Sequence, residues 1–270
     1  MLKPVLIALA LSLTACTHHI VQPTIHPLPS DNFSSRISTI VLHYTAENDE
    51  RSIYLLTKGQ VSSHYLITEQ DSRIYQLVPD DKMAWHAGES HWRGRTHLND
   101  TAIGIEIVNQ GVKDEYRQHK GYRPPHHYVA YTDEQIEQLA QLLRLLIDKY
   151  DIDPRNIVAH ADIAPSRKTD PGAKFPWRLL HEKYHIGTWY DETDKAAFMT
   201  DSTDGIPIKD IKAKLRDYGY NINDTDEWDR ASRDVVYAFQ LHFNPTNATG
   251  EMDTETYAIL QALHKKYVQR

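Results

Sequence analysis

One cysteine, Cys16, stands in 270 residues, so no disulfide within the chain can support the fold. Lysine and arginine never form a run and the formal net charge is −7, which excludes the basic footprint of a nucleic-acid-binding protein. No apolar stretch approaches the ~20 residues that a membrane-spanning helix needs. The longest, PVLIALALSL at 4–13, lies at the N-terminus. Low-complexity segments are absent, and 40% hydrophobic with 25% charged residues is an ordinary balance for a globular chain. What the chain has in quantity is histidine, sixteen of them, scattered along its length.

The N-terminal segment reads as a signal. Lys3, the apolar run and Leu13-Thr14-Ala15-Cys16 follow one another in the order of a secretory leader. The last four residues resemble the lipobox of bacterial lipoproteins. That resemblance implies that residues 1–16 are a lipoprotein signal and that Cys16 becomes the acylated, palmitate-bearing first residue. Thr17 stands where an inner-membrane retention signal carries aspartate, so the expected location is the periplasmic face of the outer membrane, lipid-anchored. Residues 17–36, proline-containing and aperiodic, read as a tether.

Beyond the tether, STIVLHYT (38–45) and TAIGIEIVN (101–109) are β-rich runs, with VSSHYLI (61–67) and RIYQLV (73–78) between them. The clearest helix covers 133–151, where Ile136, Leu139, Leu143, Leu146, Ile147 and Tyr150 recur at helical spacing. Thr132 and Gln135 form a capping-box pattern at its start. NIVAH (156–160) is a short strand entering the loop HADIAPSRKTDPG (160–172). Strands mixed with helices predict an α/β domain over 37–190, a mixed central β-sheet flanked by helices. A polar stretch at 191–204 reads as a linker. Within 205–270 three amphipathic segments, at 207–218, 229–243 and 254–268, predict a small C-terminal three-helix bundle.

In TAIGIEIVN the isoleucines 103, 105 and 107 share one face, while Glu106 stands on the other among Ala102, Gly104 and Val108. Two readings are open: a carboxylate with a partner or a task, or a residue of a half-wetted sheet facing solvent. His43, near the end of its strand, is a hydrogen-bonded core residue or a ligand. Together with His160 and Asp170 it would make an N,N,O set suited to Zn²⁺ with one position open for water.

The motifs IVLHYT, VSSHYLI, AWHAG, IGIEIVN and the H-x7-K-x-D-PG spacing of His160, Lys168, Asp170, Pro171 and Gly172 occur in one order over about 40–172. They resemble the zinc-dependent N-acetylmuramoyl-L-alanine amidases of the type-2 amidase and peptidoglycan-recognition-protein superfamily, in particular the outer-membrane lipoprotein members. IKAKLRDYGY, SRDVVYAFQLHF and TGEMDTETYAILQAL resemble a type-1 peptidoglycan-binding domain. The resemblance implies a Zn²⁺ enzyme acting on peptidoglycan and muropeptides. Its zinc ligands fall on His43, His160 and Asp170, its catalytic glutamate on Glu106 and its lysine on Lys168.

It further implies hydrolysis of the amide between N-acetylmuramic acid, intact or 1,6-anhydro, and the L-alanine of the stem peptide. Zinc-bound water is the expected nucleophile, Glu106 the acid/base and Lys168 the oxyanion stabiliser. Tyr44, His64, Trp85 and His86 match positions near the family's cleft, with Trp85 placed to lie against a sugar. For His64 and Trp85 a structural role is the competing reading. Arg93 or Arg95 could meet peptide carboxylates, or simply be solvated; His126 and His127 read as surface imidazoles, and 111–131 is otherwise unassigned. A non-catalytic peptidoglycan-binding lipoprotein of the outer membrane is the alternative function, and a monomer is the expected state. Removing 201–270 is expected to weaken wall binding and leave small muropeptides hydrolysable.

Overall fold

Apolar residues repeating at every second position become the middle of a five-stranded sheet. The computed structural model describes residues 24–200, 203 and 205–269, so the signal segment and Cys16 lie outside the described residues. Residues 35–270 form one of the chain's two compact units. It opens with β1 (Thr39–Tyr44), α1 (Asp49–Lys58), β2 (Tyr65–Ile67) and β3 (Ile74–Gln76). The two-residue strands β4 (His91–Trp92) and β5 (Arg95–Thr96) precede β6 (Ala102–Ile107). Then come α2 (Asp133–Tyr150), β7 (Ile157–Ala159), the four-residue α3 (His160–Ile163) and α4 (Trp177–Tyr184). Four helices complete it: α5 (Glu192–Phe198), α6 (Ile208–Tyr218), α7 (Arg230–Phe243) and α8 (Thr254–Tyr267).

The strand order is β3-β2-β6-β1-β7. All neighbours run parallel except β2 and β3. This is the mixed, helix-flanked sheet that the sequence predicts. Ile103, Ile105 and Ile107 of β6 are fully buried and join one core with Ile136, Leu139, Leu143 and Leu146 of α2. The capping box forms: Thr132 Oγ1 accepts from the Gln135 amide at 3.1 Å, and Gln135 Oε1 from that of Thr132 at 3.2 Å. The Gln135 amide group also donates to Val108 O at 2.7 Å, tying the helix start to the end of β6. Among the described residues no helix is long and apolar enough to cross a membrane.

The C-terminal helices fall where their periodicity places them, with Asp229 and Asp253 capping α7 and α8. Their apolar faces belong to the same continuous core as the sheet. Trp92 meets Tyr220 edge-on at 4.9 Å, and Trp177 stacks on His242 at 3.8 Å. Tyr128 and Tyr237 exchange a hydroxyl hydrogen bond of 2.9 Å.

Several local features differ from the sequence reading. Residues 88–100, whose sequence reads as a plain loop, contain the β4–β5 hairpin, and its Trp92 is buried in the seam with the C-terminal helices. The polar segment read as connection folds as α5, held to α8 by Lys195–Glu255 and Lys265–Asp194 ion pairs. The unassigned stretch 111–131 covers α7: the Tyr122 hydroxyl donates to Asp234 and the Arg123 amide to the Tyr237 hydroxyl, both at 2.9 Å. His126 is exposed, but His127 is buried, its ring stacked 3.9 Å from that of Tyr116. A polar sequence neighbourhood hid that aromatic partner eleven residues upstream.

Candidate metal centre

The parallel register sets His43 of β1 directly opposite Glu106 of β6. Cross-strand partners in register face the same side of a sheet, so the imidazole and the carboxylate project together. β7 lies on the other flank of β1 and delivers His160 as the first residue of α3. The loop after α3 returns Asp170, whose carbonyl accepts from the Ala161 amide at 2.9 Å. The Asp170–Pro171 peptide is cis, and the Tyr131 hydroxyl donates to Pro171 O at 2.8 Å. Gly172 follows at φ +82°, where a Cβ would press to 2.6 Å from the Tyr128 ring. Only glycine meets both demands without strain.

His43, His160 and Asp170, all buried, bring three donor atoms together. His43 Nδ1 lies 2.9 Å from His160 Nδ1, and each is 3.0 Å from Asp170 Oδ2. Four donors around a Zn²⁺ at about 2.0 Å stand about 3.3 Å apart, so this triangle has nearly the size of three corners of such a site. The far side of each ring supports the assignment. The Nε2–H of His160 can donate to Ala87 O at 3.1 Å, and His43 Nε2 lies 3.1 Å from His86 Nδ1. A ring that donates through Nε2 keeps the Nδ1 lone pair for a metal. Burial, then the neighbouring His160, lowers the His43 pKa to about 4, so the ring is neutral near pH 7, as coordination requires. Burial opposes charge on Asp170 as well, yet the two imidazoles outweigh it and hold the carboxyl well below its ordinary range. Two imidazole nitrogens and one carboxylate oxygen fit a borderline divalent ion.

Glu106 stands apart from the triangle. Its Oε2 is buried with no hydrogen-bond partner. Burial, and then the charge of Asp170, push its pKa well above the usual carboxylate range, with Lys168 pulling the other way. A carboxyl so poised beside a metal set is suited to taking up and releasing a proton.

A cavity of about 300 Å³ opens onto this group, lined by the three donors with Glu106, Lys168 and Tyr44 among others. His86 and Trp85 line it too; Trp85 is 58% exposed at the rim, next to a 54% exposed Val61. The Tyr44 hydroxyl is 3.1 Å from Thr169 Oγ1. His86 fits beside β6 only because residue 104 is glycine, since a Cβ there would lie 2.4 Å from its ring. His64 sits differently. It is fully buried behind His86, outside the cavity lining, accepting from the Gly104 amide at 3.0 Å and lying 3.1 Å from Lys82 O. Arg93 is occupied at the seam by Asn156 and Asp153.

Two residues escaped the sequence reading. Arg167 lines the cavity and donates to the carbonyls of Ala87 and Glu89, bracing the rim behind His86. Its position beside Lys168 was the available signal. Asp162 is buried two residues beyond His160, and its signal was the three-residue offset from Ala159 that a capping carboxylate takes.

Comparison with known proteins agrees with this geometry. The family profile for N-acetylmuramoyl-L-alanine amidase matches residues 33–173, and that for a peptidoglycan-binding domain matches 204–260. The N-acetylmuramoyl-L-alanine amidase AmiD of Escherichia coli is 42% identical over 242 residues, covering 87% of this chain and 84% of its own. A solved complex of AmiD with anhydro-N-acetylmuramic acid-L-Ala-D-gamma-Glu-L-Lys superposes with a TM-score of 0.78 at 39% identity, covering 90% of this chain and 94% of that one. AmpDh3 of Pseudomonas aeruginosa superposes with a TM-score of 0.82 at 38% identity, over 91% and 99% of the two chains. Over more than half its length, therefore, this chain belongs to the N-acetylmuramoyl-L-alanine amidase family.

Proposed function

We propose that the protein is a zinc-dependent amidase that hydrolyses the amide between N-acetylmuramic acid, intact or 1,6-anhydro, and the L-alanine of peptidoglycan stem peptides. The observation that carries this reading is the buried His43–His160–Asp170 triangle with an unpartnered Glu106 in register beside it. The relatives' printed activities and the AmiD complex support the substrate class. His43, His160 and Asp170 would hold the ion. Bound there, Zn²⁺ supplies Lewis acidity that polarises a carbonyl and lowers the pKa of water to about 7.

The chain's own groups do the rest. Glu106 takes a proton from the attacking water and passes it to the alanine nitrogen as the C–N bond breaks, leaving a lactyl carboxylate and a free amine. Lys168, on the cavity wall, is placed to stabilise the oxyanion that forms on the way. Trp85 at the rim offers a flat apolar face to the sugar, and Tyr44 and His86 complete the walls. His64 acts on substrate only through the β6 backbone and His86.

Mass spectrometry of muropeptides after incubation identifies the bond. The expected products are the free stem peptide and the muramic acid moiety, and a chelator should suppress them until Zn²⁺ is restored. Unchanged substrate with stoichiometric zinc present, or cleavage at another bond, rejects the reading.

In the same reading residues 37–190 are the catalytic domain, 191–204 the linker and 205–270 a wall-binding module, a division that the two family profiles support. Cys16 carries the acyl anchor to the outer membrane, supported by the Leu13–Cys16 lipobox pattern. Several acyl chains hold firmly, at about 0.8 kcal/mol per buried CH₂. Cys16→Ala should move the protein from the outer-membrane fraction and abolish labelling by radioactive palmitate. Labelling that persists in this variant excludes Cys16 as the site.

A further inference from the structure

Asp162 is a buried carboxylate to which the amidase mechanism gives no task. Its side chain is wholly shielded from solvent, and it sits on α3, the short helix that begins with the ligand His160. Three donors converge on it. The Ala159 amide reaches Oδ2 at 2.8 Å, at the junction where β7 turns into α3. The other two come from the C-terminal region: the hydroxyl of Tyr220, just after α6, donates to Oδ1 at 2.6 Å, and Nδ1–H of His242 on α7 donates to Oδ2 at 2.7 Å.

Those two donors are themselves held in place. The His242 ring is layered between Trp177 at 3.8 Å and Phe243 at 3.9 Å. Tyr220 packs against Trp92, whose indole donates to Arg155 O at 2.9 Å, just ahead of β7. The result is a fixed bracket around the β7–α3 turn. That turn sets the direction in which His160 leaves the backbone. The second residue of α3 matters equally, because the Ala161 amide binds the carbonyl of Asp170. A rotation of α3 would therefore disturb two of the three ligands together.

We propose that Tyr220 and His242 are positioning residues for the metal centre, acting through Asp162 to fix the helix that presents His160. On this view the C-terminal helices are part of the metal site as well as a module for the wall. The inference rests on the proposed metal-binding role of His160. Groups behind metal ligands typically change affinity by 10–100-fold when removed.

The test measures Zn²⁺ affinity of the full chain by competition with a chromophoric chelator, together with the visible spectrum of the Co²⁺-loaded protein. His242→Phe keeps the aromatic stack and removes the donor, and Tyr220→Phe removes a single oxygen. Each should weaken Zn²⁺ binding about 10–100-fold and alter the Co²⁺ bands, while KM for a small muropeptide stays near the wild-type value. His242→Asn, whose side-chain amide can replace the Nδ1 donor, should recover part of the lost affinity. If His242→Phe does not fold, Tyr220→Phe decides the matter alone. Wild-type affinity and an unchanged Co²⁺ spectrum in the folded variants overturn the proposal. A His160→Ala control separates the two ideas: if it binds Zn²⁺ as tightly as the wild type, the metal-site reading itself fails.

Discussion

Glu106→Gln should lower the rate of amide release by about 10²–10⁴-fold while leaving the bound zinc at wild-type stoichiometry. The separation of these two effects follows from where the carboxyl stands. It lies opposite His43 in the register of β1 and β6, outside the set of atoms that could share one ion. Glutamine preserves the shape of the side chain, so the packing at the sheet end survives. What disappears is the ability to accept a proton from water and return it to nitrogen. Because Oε2 has no partner in the folded chain, the substitution breaks no hydrogen bond. The fall should therefore appear in kcat, with KM little changed. Steady-state release from a purified muropeptide, paired with metal analysis of the same sample, checks both halves. Near-normal turnover removes Glu106 from the mechanism, and loss of zinc would recast it as a ligand.

The second large effect concerns stability. A chain ending at residue 200 should fail to fold cooperatively, in contrast to the separability expected from sequence. The seam explains why. Trp92 is 2% exposed, Tyr128 2% and Trp177 4%, and each is covered by an aromatic side chain from beyond residue 200. Uncovering a large apolar side chain costs roughly 1.5–3 kcal/mol. Three such losses, with Asp162 stripped of two of its three donors, rival the whole stability of about 5–15 kcal/mol of a typical domain. Circular dichroism and thermal unfolding of residues 37–200 test this. A sharp transition with muropeptide hydrolysis intact would show that the seam adds little.

Much of the architecture was legible because it rests on local periodicity. The alternation in TAIGIEIVN, the stripe and capping box of α2, and the Asp-capped C-terminal helices each sit within one segment. The ligand positions came from motif order, which carries the family's solution without the distances. What stayed hidden depends on pairs remote in sequence. His242 and Asp162 are 80 residues apart, and no spacing rule joins them. Arg167 reaches back 80 residues to a backbone carbonyl that every residue possesses. His64 looked like a cleft residue because its type and place matched; only its two backbone contacts reveal that it faces inward.

The proposed reacting groups and the rim occupy different parts of the fold. His43 and Glu106 ride on adjacent interior strands, each hydrogen-bonded along both edges, so their separation is locked by the sheet's lattice. Trp85 and Val61 lie on connecting segments with their side chains open to water. In the proposed reaction, glycan pieces of different outline would meet the open rim while the spacing of His43 and Glu106 stays constant.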